Sequence, residues 1–264
     1  MLSLGQGKST GKIINSVKSN GVIVLTAQYG VEECSYGMHY HENPHVCFLF
    51  HGGDVENRSN RLYERKPGDV YFYHAGEKHG AIARQGVSKS TVIEFGNPFL
   101  EEFDVSESQI ERAIERNLDA KFLILKMQQE MLIGDSSSPI ALEALILNLV
   151  SSSLPSSNDS APKWVKVLVD LLNDRWSEQV SLSELSSATK THPATISKHF
   201  RRYFSCTLGE YLRKLKIDKS IPLIKSSSMS LTDIAYHCGF TDQSHFTRNF
   251  KHLTGFLPKE FRKA

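Results

Sequence analysis

Hydrophobic and polar positions follow two different periods along the chain. Residues 20–96 contain short runs rich in β-branched and aromatic residues, separated by Gly, Asn, Asp and Pro, which is the pattern of antiparallel strands. The runs are VIVLTAQY, VCFLF, DVYFYH and STVIEF. This part of the chain is therefore predicted to form a small β barrel or a sandwich.

From about Glu107 to Leu149 the apolar residues recur at helical spacing, and GDSSSP at residues 134–139 interrupts them. This pattern predicts a helical hairpin. The apolar stripe in ALEALILNLV is broader than one packing face requires. Two interpretations stand at this point: the helices within 107–150 form a homodimer interface, or they cover one open face of the β domain.

Residues 151–162, SSSLPSSNDSAP, have neither period and are rich in Ser, Pro, Asn and Asp. Such a composition is typical of a flexible connection. We therefore expect three parts: a β-rich domain over 1–150, a linker over 151–162 and an all-helical domain over 163–264.

The helical domain begins with a helix pair that has clear start signals. Ser181 stands at a helix-cap position with Glu184 three residues later, which is a capping box. Pro193 suits the first position of the next helix, because that position needs no amide hydrogen. Ile196 and Phe200 then follow at a spacing of four. Two short, tightly joined helices with an outward polar face describe a helix-turn-helix.

The same pattern returns about 50 residues later. Ser230 is predicted to cap a helix, Gly239 to supply the turn, and Asp242 to cap a second helix with Phe246 and Phe250 on its buried side. Two similar units joined by one helix can place two recognition helices in successive major grooves of DNA.

Charge supports a polyanionic partner for this domain. The chain has a net charge of +2. Residues 201–264 hold twelve Lys and Arg against five Asp and Glu, a net +7, which leaves −5 for the first 200 residues. A solvated basic helix face is the alternative interpretation of this asymmetry.

Other compositional signals argue against membrane and disulfide proteins. No apolar run approaches the length of a membrane span, and MLSLGQGKSTGK lacks a signal-peptide core, so a cytoplasmic location without a membrane partner is expected. The four cysteines form no CxxC pair and are expected to be small buried hydrophobes: Cys34, Cys47, Cys206 and Cys238.

Residues 163–264 resemble the DNA-binding domain of the AraC family of bacterial transcription regulators. The positions that match the family pattern in the second unit are Ile234, Ala235, Gly239, Phe240, Phe246, Arg248, Phe250, Gly255, Pro258 and Arg262. The first unit departs from the pattern, because Lys190 replaces the usual turn glycine and His192 the usual Ser cap. A positive φ at Lys190 would cost about 1 kcal/mol.

The resemblance implies DNA contacts along both recognition helices. Side chains expected to reach base edges are Ala194, Ser197, Lys198, Gln243, Ser244, Thr247 and Arg248. Among them, Gln243 suits adenine, and Arg248 or Lys198 suits guanine. Those expected to bind phosphates are Arg201, Arg202 and Lys251.

A histidine cluster marks the β-rich domain. GMHYHENPHVCFLFHGG and PGDVYFYHAGEKHG resemble the two cupin motifs, and all four ligand positions carry histidine: His39, His41, His45 and His79. Four imidazoles suit a divalent Fe, Ni, Cu or Zn ion. The sensor domains of AraC-type proteins also resemble cupins and often keep such histidines without holding metal, so a small-molecule pocket is the other interpretation.

Together these features predict an α+β multidomain protein, with a cupin-like β barrel and helical hairpin followed by an all-α domain with two helix-turn-helix units. The predicted function is a sequence-specific DNA-binding transcription regulator. It would bind promoter DNA, respond to a small-molecule or metal effector, and contact RNA polymerase if it is an activator. The alternative is a metal-dependent cupin enzyme with a helical appendage, but no carboxylate stands beside the histidines as a general base, so a non-enzyme is expected.

Overall fold

The computed structural model of the chain describes residues 1–30, 37–83, 86–151 and 162–264. Contacts group the chain into two compact units, residues 1–153 and 154–259, with the last five residues grouped with the first unit. The predicted domain limits stay a prediction, and residues 152–161 of the predicted linker lie outside the described residues.

The N-terminal unit contains two five-stranded sheets, with the strand orders β1-β4-β9-β6-β7 and β2-β3-β10-β5-β8. All neighbouring strands are antiparallel except β1 and β4, which run parallel. The strands are β1 Leu2–Leu4, β2 Lys12–Ser19, β3 Val22–Tyr29, β4 His39–His41, β5 His45–His51, β6 Asp54–Arg58, β7 Arg61–Arg65, β8 Val70–Tyr73, β9 His79–Ala83 and β10 Ser88–Phe95.

The two sheets form a sandwich-like arrangement, and within the described ranges the predicted barrel is not closed. The second sheet supplies much of the core, because its strands β3 and β5 are almost wholly buried. The edge strand β2 of the same sheet is exposed along most of its length. A buried cluster includes Leu25, Ala27, Tyr73 and Val92. The general prediction of a β domain before a helical domain is confirmed.

Four helices follow the sheets: α1 Asn97–Glu102, α2 Glu107–Arg116, α3 Ala120–Ile133 and α4 Ser138–Ser151. The helical hairpin is formed by α3 and α4, and Gly134 ends α3 in the left-handed region with φ 60°. The buried Gln128 joins α3 to the second sheet, because its Oε1 accepts hydrogen bonds from Thr26 at 2.9 Å and Thr91 at 2.6 Å. The broad apolar stripe lies on α4, where Leu142, Ile146 and Leu149 are buried. Ser19 of β2 donates to Glu143 of the same helix at 3.3 Å, so at least part of this stripe covers the sheet.

The second part of the chain is helical. Its helices are α5 Lys163–Asp174, α6 Leu182–Thr189, α7 Pro193–Phe204, α8 Leu208–Ser226, α9 Leu231–His237, α10 Gln243–Thr254 and α11 Pro258–Lys263. The helix-turn-helix pairs are α6 with α7 and α9 with α10, as the sequence predicts. Apolar side chains at the predicted spacing are buried in both pairs: Leu185, Ile196 and Phe200 in the first, Ile234, Phe246 and Phe250 in the second.

Local signals in the sequence are confirmed in detail. Ser181 and Glu184 form the expected capping box, and Pro193 occupies the start of α7. Three cysteines are free and buried, Cys47, Cys206 and Cys238, whereas Cys34 lies outside the described residues. Among the helices that the structure describes, none has both the length and the apolar character needed to cross a membrane.

Candidate DNA-binding helices and histidine site

The outer faces of α7 and α10 carry the side chains predicted to contact DNA. Ile196 and Phe200 turn inward on α7, and Phe246 and Phe250 do so on α10, so the intervening polar positions point away from the core. All ten predicted contact residues lie on these two helices and are exposed apart from the half-buried Thr247: Ala194, Ser197, Lys198, Arg201, Arg202, Gln243, Ser244, Thr247, Arg248 and Lys251. Their individual roles stay predictions.

The turn of the second helix-turn-helix unit is fixed by close packing. Gly239 has φ 70°, and a Cβ built there would lie 2.0 Å from the Ser177 carbonyl oxygen. The buried Lys216 of α8 donates to the Gly239 carbonyl oxygen at 2.9 Å. Only glycine fits this position, and the turn therefore has a defined orientation.

The turn of the first helix-turn-helix unit contains Lys190, whose φ is 51°. Its neighbour Thr191 donates its N–H to the Ser186 carbonyl at 3.2 Å, as Phe240 does to Ala235 at 3.0 Å in the second unit. Lys190 thus holds the conformation that Gly239 holds, at a higher conformational cost. The expected cost of about 1 kcal/mol depends on a positive φ at Lys190, and Lys190 has one.

In the β-rich domain, the histidine site is formed by β4, β5 and β9. His39 and His79 are directly opposite each other in the β4–β9 ladder, and His41 lies on the same face of β4 as His39. Candidate ligand atoms of these three buried histidines all lie within 4.8 Å of one another. His45 stands at the start of β5, with its ring centre 4.1 Å from that of His41. The four predicted residues are therefore brought together.

Hydrogen bonds fix two of the rings. The Nδ1 atom of His39 lies 3.0 Å from the Gly37 carbonyl oxygen, and that of His79 lies 2.9 Å from the Glu77 carbonyl oxygen. An Nδ1–H that donates to a carbonyl leaves Nε2 with its lone pair free, which is the arrangement typical of metal-bound histidine. The Nδ1 atoms of His41 and His45 are buried without a hydrogen-bond partner among the described residues.

Burial keeps the imidazoles neutral. It lowers the pKa of His41 to about 4 and that of His79 to about 3, and in both cases the nearby His39 lowers the pKa further. Burial likewise lowers the pKa of His39 and of His45. Neutral imidazole is the form that binds metal, so no proton has to be displaced near pH 7.

An ionic network borders the histidines. Its Glu56 carboxylate lines the same pocket as the four histidines, so the expectation that no carboxylate stands beside them is wrong. Arg65 of β7 forms a bidentate pair with Asp54 and lies 3.1 Å from Glu56. The hydroxyl of Tyr73 donates to Glu56 at 2.9 Å, and the Tyr73 ring stacks on His45. The only signal was the alternation of acids in DVENR, since Asp54 and Glu56 share one strand face.

The donor set fits a divalent transition ion. Orphaned imidazole nitrogens, two carbonyl-bound rings and neutral histidines are features expected of a preformed ligand set. The cavity beside the histidines has a volume of about 40 Å³, which is room for about three water molecules. The residues present therefore fit a metal ion with a small number of co-ligands.

Comparison with known proteins agrees with the helical geometry. Residues 185–264 match the family described as Helix-turn-helix domain. The HTH-type transcriptional activator RhaS of Escherichia coli O157:H7 (strain EC4115 / EHEC) is 22% identical over 252 residues, covering 88% of this chain and 89% of its own.

The similarity of this chain to solved structures is weaker than its similarity to RhaS in sequence. ToxT from Vibrio cholerae is 13% identical and covers 92% of this chain and 98% of its own, with a TM-score of 0.39. An AraC-type transcriptional regulator from Chromobacterium violaceum is 20% identical, covers 38% of this chain and 89% of its own, and has a TM-score of 0.37. The assignment therefore depends on the sequence comparisons and on the paired helices. They support a DNA-binding regulator similar to those of the AraC type rather than an enzyme, in which a helix-turn-helix domain for double-stranded DNA follows an N-terminal sensor domain.

Proposed function

We propose that this chain is a metal-responsive transcription regulator, in which a divalent transition ion bound by His39, His41 and His79 controls the binding of promoter DNA by α7 and α10. The observation that carries the proposal is the convergence of three buried histidines whose ligand atoms lie within 4.8 Å of one another. His45, with its buried and unpartnered Nδ1, is the candidate fourth ligand. A bound ion would supply a cross-link between β4 and β9.

The arrangement of donors favours a metal over an organic effector. Ligand atoms of His39, His41 and His79 already converge within 4.8 Å of one another, so an ion requires only the nitrogens already present.

The buried charges also favour a cation. The Arg65 side chain, which is 12% exposed, lines the pocket and is paired with both Asp54 and Glu56. The other cation of the lining, Lys8, is exposed. Burial raises the pKa of Glu56, while Arg65 and the Tyr73 hydroxyl oppose that rise. Whichever form Glu56 takes, the Arg65, Asp54 and Glu56 side chains carry no surplus positive charge for an anionic effector.

On the DNA side, we propose that the predicted division into base-edge and phosphate contacts applies. Lys198, Gln243 and Arg248 would contact base edges, because their side chains project from the exposed faces of the recognition helices. Lys198 and Arg248 suit guanine. The phosphate contacts would come from Arg201, Arg202 and Lys251.

Further partners follow from the same proposal. Leu132, Ile133 and Ile140 at the tip of the α3–α4 hairpin are exposed by 57%, 54% and 74%, which supports a homodimer interface within residues 107–150. Because the relative RhaS is a transcriptional activator, we propose that this cytoplasmic regulator also contacts RNA polymerase.

The test is the metal content of the full chain, purified from metal-replete medium and measured by mass spectrometry. We expect about one ion per chain, lost in His79→Ala and retained in His51→Ala, which removes an exposed histidine from the end of β5. Operator affinity measured by fluorescence anisotropy should differ between metal-loaded and chelated wild type and be insensitive to metal in His79→Ala. Such a difference arises only if the ion binds the two DNA-affinity states unequally.

Two results would contradict the proposal. Metal-free protein from replete medium would indicate an organic effector in the histidine pocket. Stoichiometric metal with unchanged operator affinity would make the ion a structural component of the β domain. Neither result affects the assignment of α7 and α10 to DNA.

A further inference from the structure

A hydrogen bond within the second helix-turn-helix unit fixes the side chain that begins its recognition helix. Gln243 is the first residue of α10, and its Oε1 accepts a hydrogen bond from the hydroxyl of Thr232 at 2.6 Å. Both side chains are exposed. The inference below rests on the proposed contact between Gln243 and a base edge.

The backbones that carry these two side chains are both anchored. Thr232 lies in the first turn of α9, where the Ser230 hydroxyl accepts the Asp233 N–H at 3.1 Å. Gln243 follows Asp242, whose carboxylate accepts the His245 N–H at 2.7 Å. The intervening turn is held at Gly239, as described above. The hydrogen bond therefore joins two elements of fixed relative position and orients the Gln243 amide.

The orientation of this amide decides which base it recognises. A glutamine that pairs bidentately with adenine accepts from N6–H and donates to N7, so it needs its oxygen and its nitrogen side by side at the base edge. Guanine presents two acceptors at the same edge, N7 and O6. When the oxygen is turned back toward α9, the two N–H groups of Nε2 are the part of the amide left for DNA.

We propose that Thr232 is a positioning residue that makes Gln243 a hydrogen-bond donor, so that this position of the operator is read as guanine in preference to adenine. The first unit has no equivalent device, because Pro193 occupies the first position of α7. The first residues of the two recognition helices therefore contribute differently to specificity. Gln243 can donate hydrogen bonds to a base edge, whereas the Pro193 side chain has no donor.

The experiment compares base preferences of full-chain variants. An operator is first selected from a random DNA library with the wild-type protein, and the relevant position is identified as the one whose base preference is lost in Gln243→Ala. Competition binding at matched salt then compares guanine and adenine at that position for wild type, Thr232→Val and Thr232→Ser. Thr232→Val removes the hydroxyl at nearly constant shape, and Thr232→Ser retains it.

We expect wild type and Thr232→Ser to prefer guanine, and Thr232→Val to shift the guanine-to-adenine ratio about tenfold toward adenine, since its freed amide can pair bidentately. Preferences at positions read by α7 should be unchanged in all variants. Thr232→Ala provides a second hydroxyl-free variant, and low-salt binding to unrelated DNA verifies that each protein is folded.

The possible failures are distinguishable. A protein that selects no sequence at all would contradict the proposed function. Sequence selection that Gln243→Ala leaves unaltered would remove Gln243 from base recognition and overturn the inference. If Gln243→Ala abolishes a preference but neither hydroxyl-free variant changes the guanine-to-adenine ratio, Thr232 does not decide which end of the Gln243 amide faces DNA, and the inference is wrong.

Discussion

The two helix-turn-helix units have the same architecture but achieve it with different residues. At the turn, Gly239 has φ 70° in the second unit, whereas Lys190 has φ 51° in the first. At the end of the recognition helix, Gly255 has φ 85° and its counterpart Ser205 has φ 55°. A residue with a Cβ pays about 1 kcal/mol or more for the left-handed region, so the first unit carries this cost twice.

The N-terminal cap of the recognition helix is also stronger in the second unit than in the first. The Asp242 carboxylate accepts the His245 N–H at 2.7 Å, while the His192 ring accepts the Ala194 N–H through Nδ1 at 3.2 Å. A carboxylate also interacts favourably with the positive end of the helix dipole. The second unit is therefore stabilised by its local sequence, whereas the first depends more on its buried side chains. We expect α7 to open more readily than α10.

The largest effect should come from Gly239→Ala. The added Cβ meets the Ser177 carbonyl oxygen at 2.0 Å in a left-handed backbone, and the combined clash and strain should cost about 3 kcal/mol of the free energy of unfolding. Lys190→Ala, the matched change in the first unit, exchanges one Cβ-bearing residue for another and should leave stability nearly unchanged. Urea unfolding followed by helical circular dichroism measures both, and equal midpoints for the two variants would refute the comparison.

How far the sequence predicted these details depends on the range of the interaction. Caps and turns are encoded within a few residues, so Ser181, Glu184, Pro193 and the unusual Lys190 were all identified from the sequence. Strand pairing is not local in this sense. The mostly exposed β2 and β7 lack a buried apolar run, so their residues carry no clear strand pattern.

The histidine site shows the same limit. His39, His41, His45 and His79 were predicted together because their motif spacing is visible in the sequence. Their surroundings were not, since the Arg65 network joins three strands whose register only the folded sheets define. The unpartnered nitrogens of His41 and His45 likewise depend on which groups the fold brings near them.

A smaller effect is expected from removing the strain in the first unit. Lys190→Gly and Ser205→Gly relieve two left-handed residues, and each should stabilise α7 by up to about 1 kcal/mol, partly offset by the greater freedom of glycine in the unfolded chain. Amide hydrogen exchange of α7 in the full chain should slow by up to about fivefold per change. Exchange in α10 is the internal control. Unchanged protection of α7 in the double variant would show that the left-handed residues do not limit its stability.

The smallest effect should come from exchanging the caps, with His192→Asp in the first unit and Asp242→His in the second. The first change should slow amide exchange at the start of α7, and the second should accelerate it at the start of α10, because only the carboxylate combines an acceptor with a favourable charge. The His245 N–H lowers the pKa of Asp242. Its stabilising contribution is therefore complete above the ordinary Asp range and is lost as the pH falls through the lower folded value. Wild-type α10 should show that acid dependence and Asp242→His should not, while His192→Asp should confer it on α7. If both helices keep their original acid profiles after the exchange, the caps are not what distinguishes the two units.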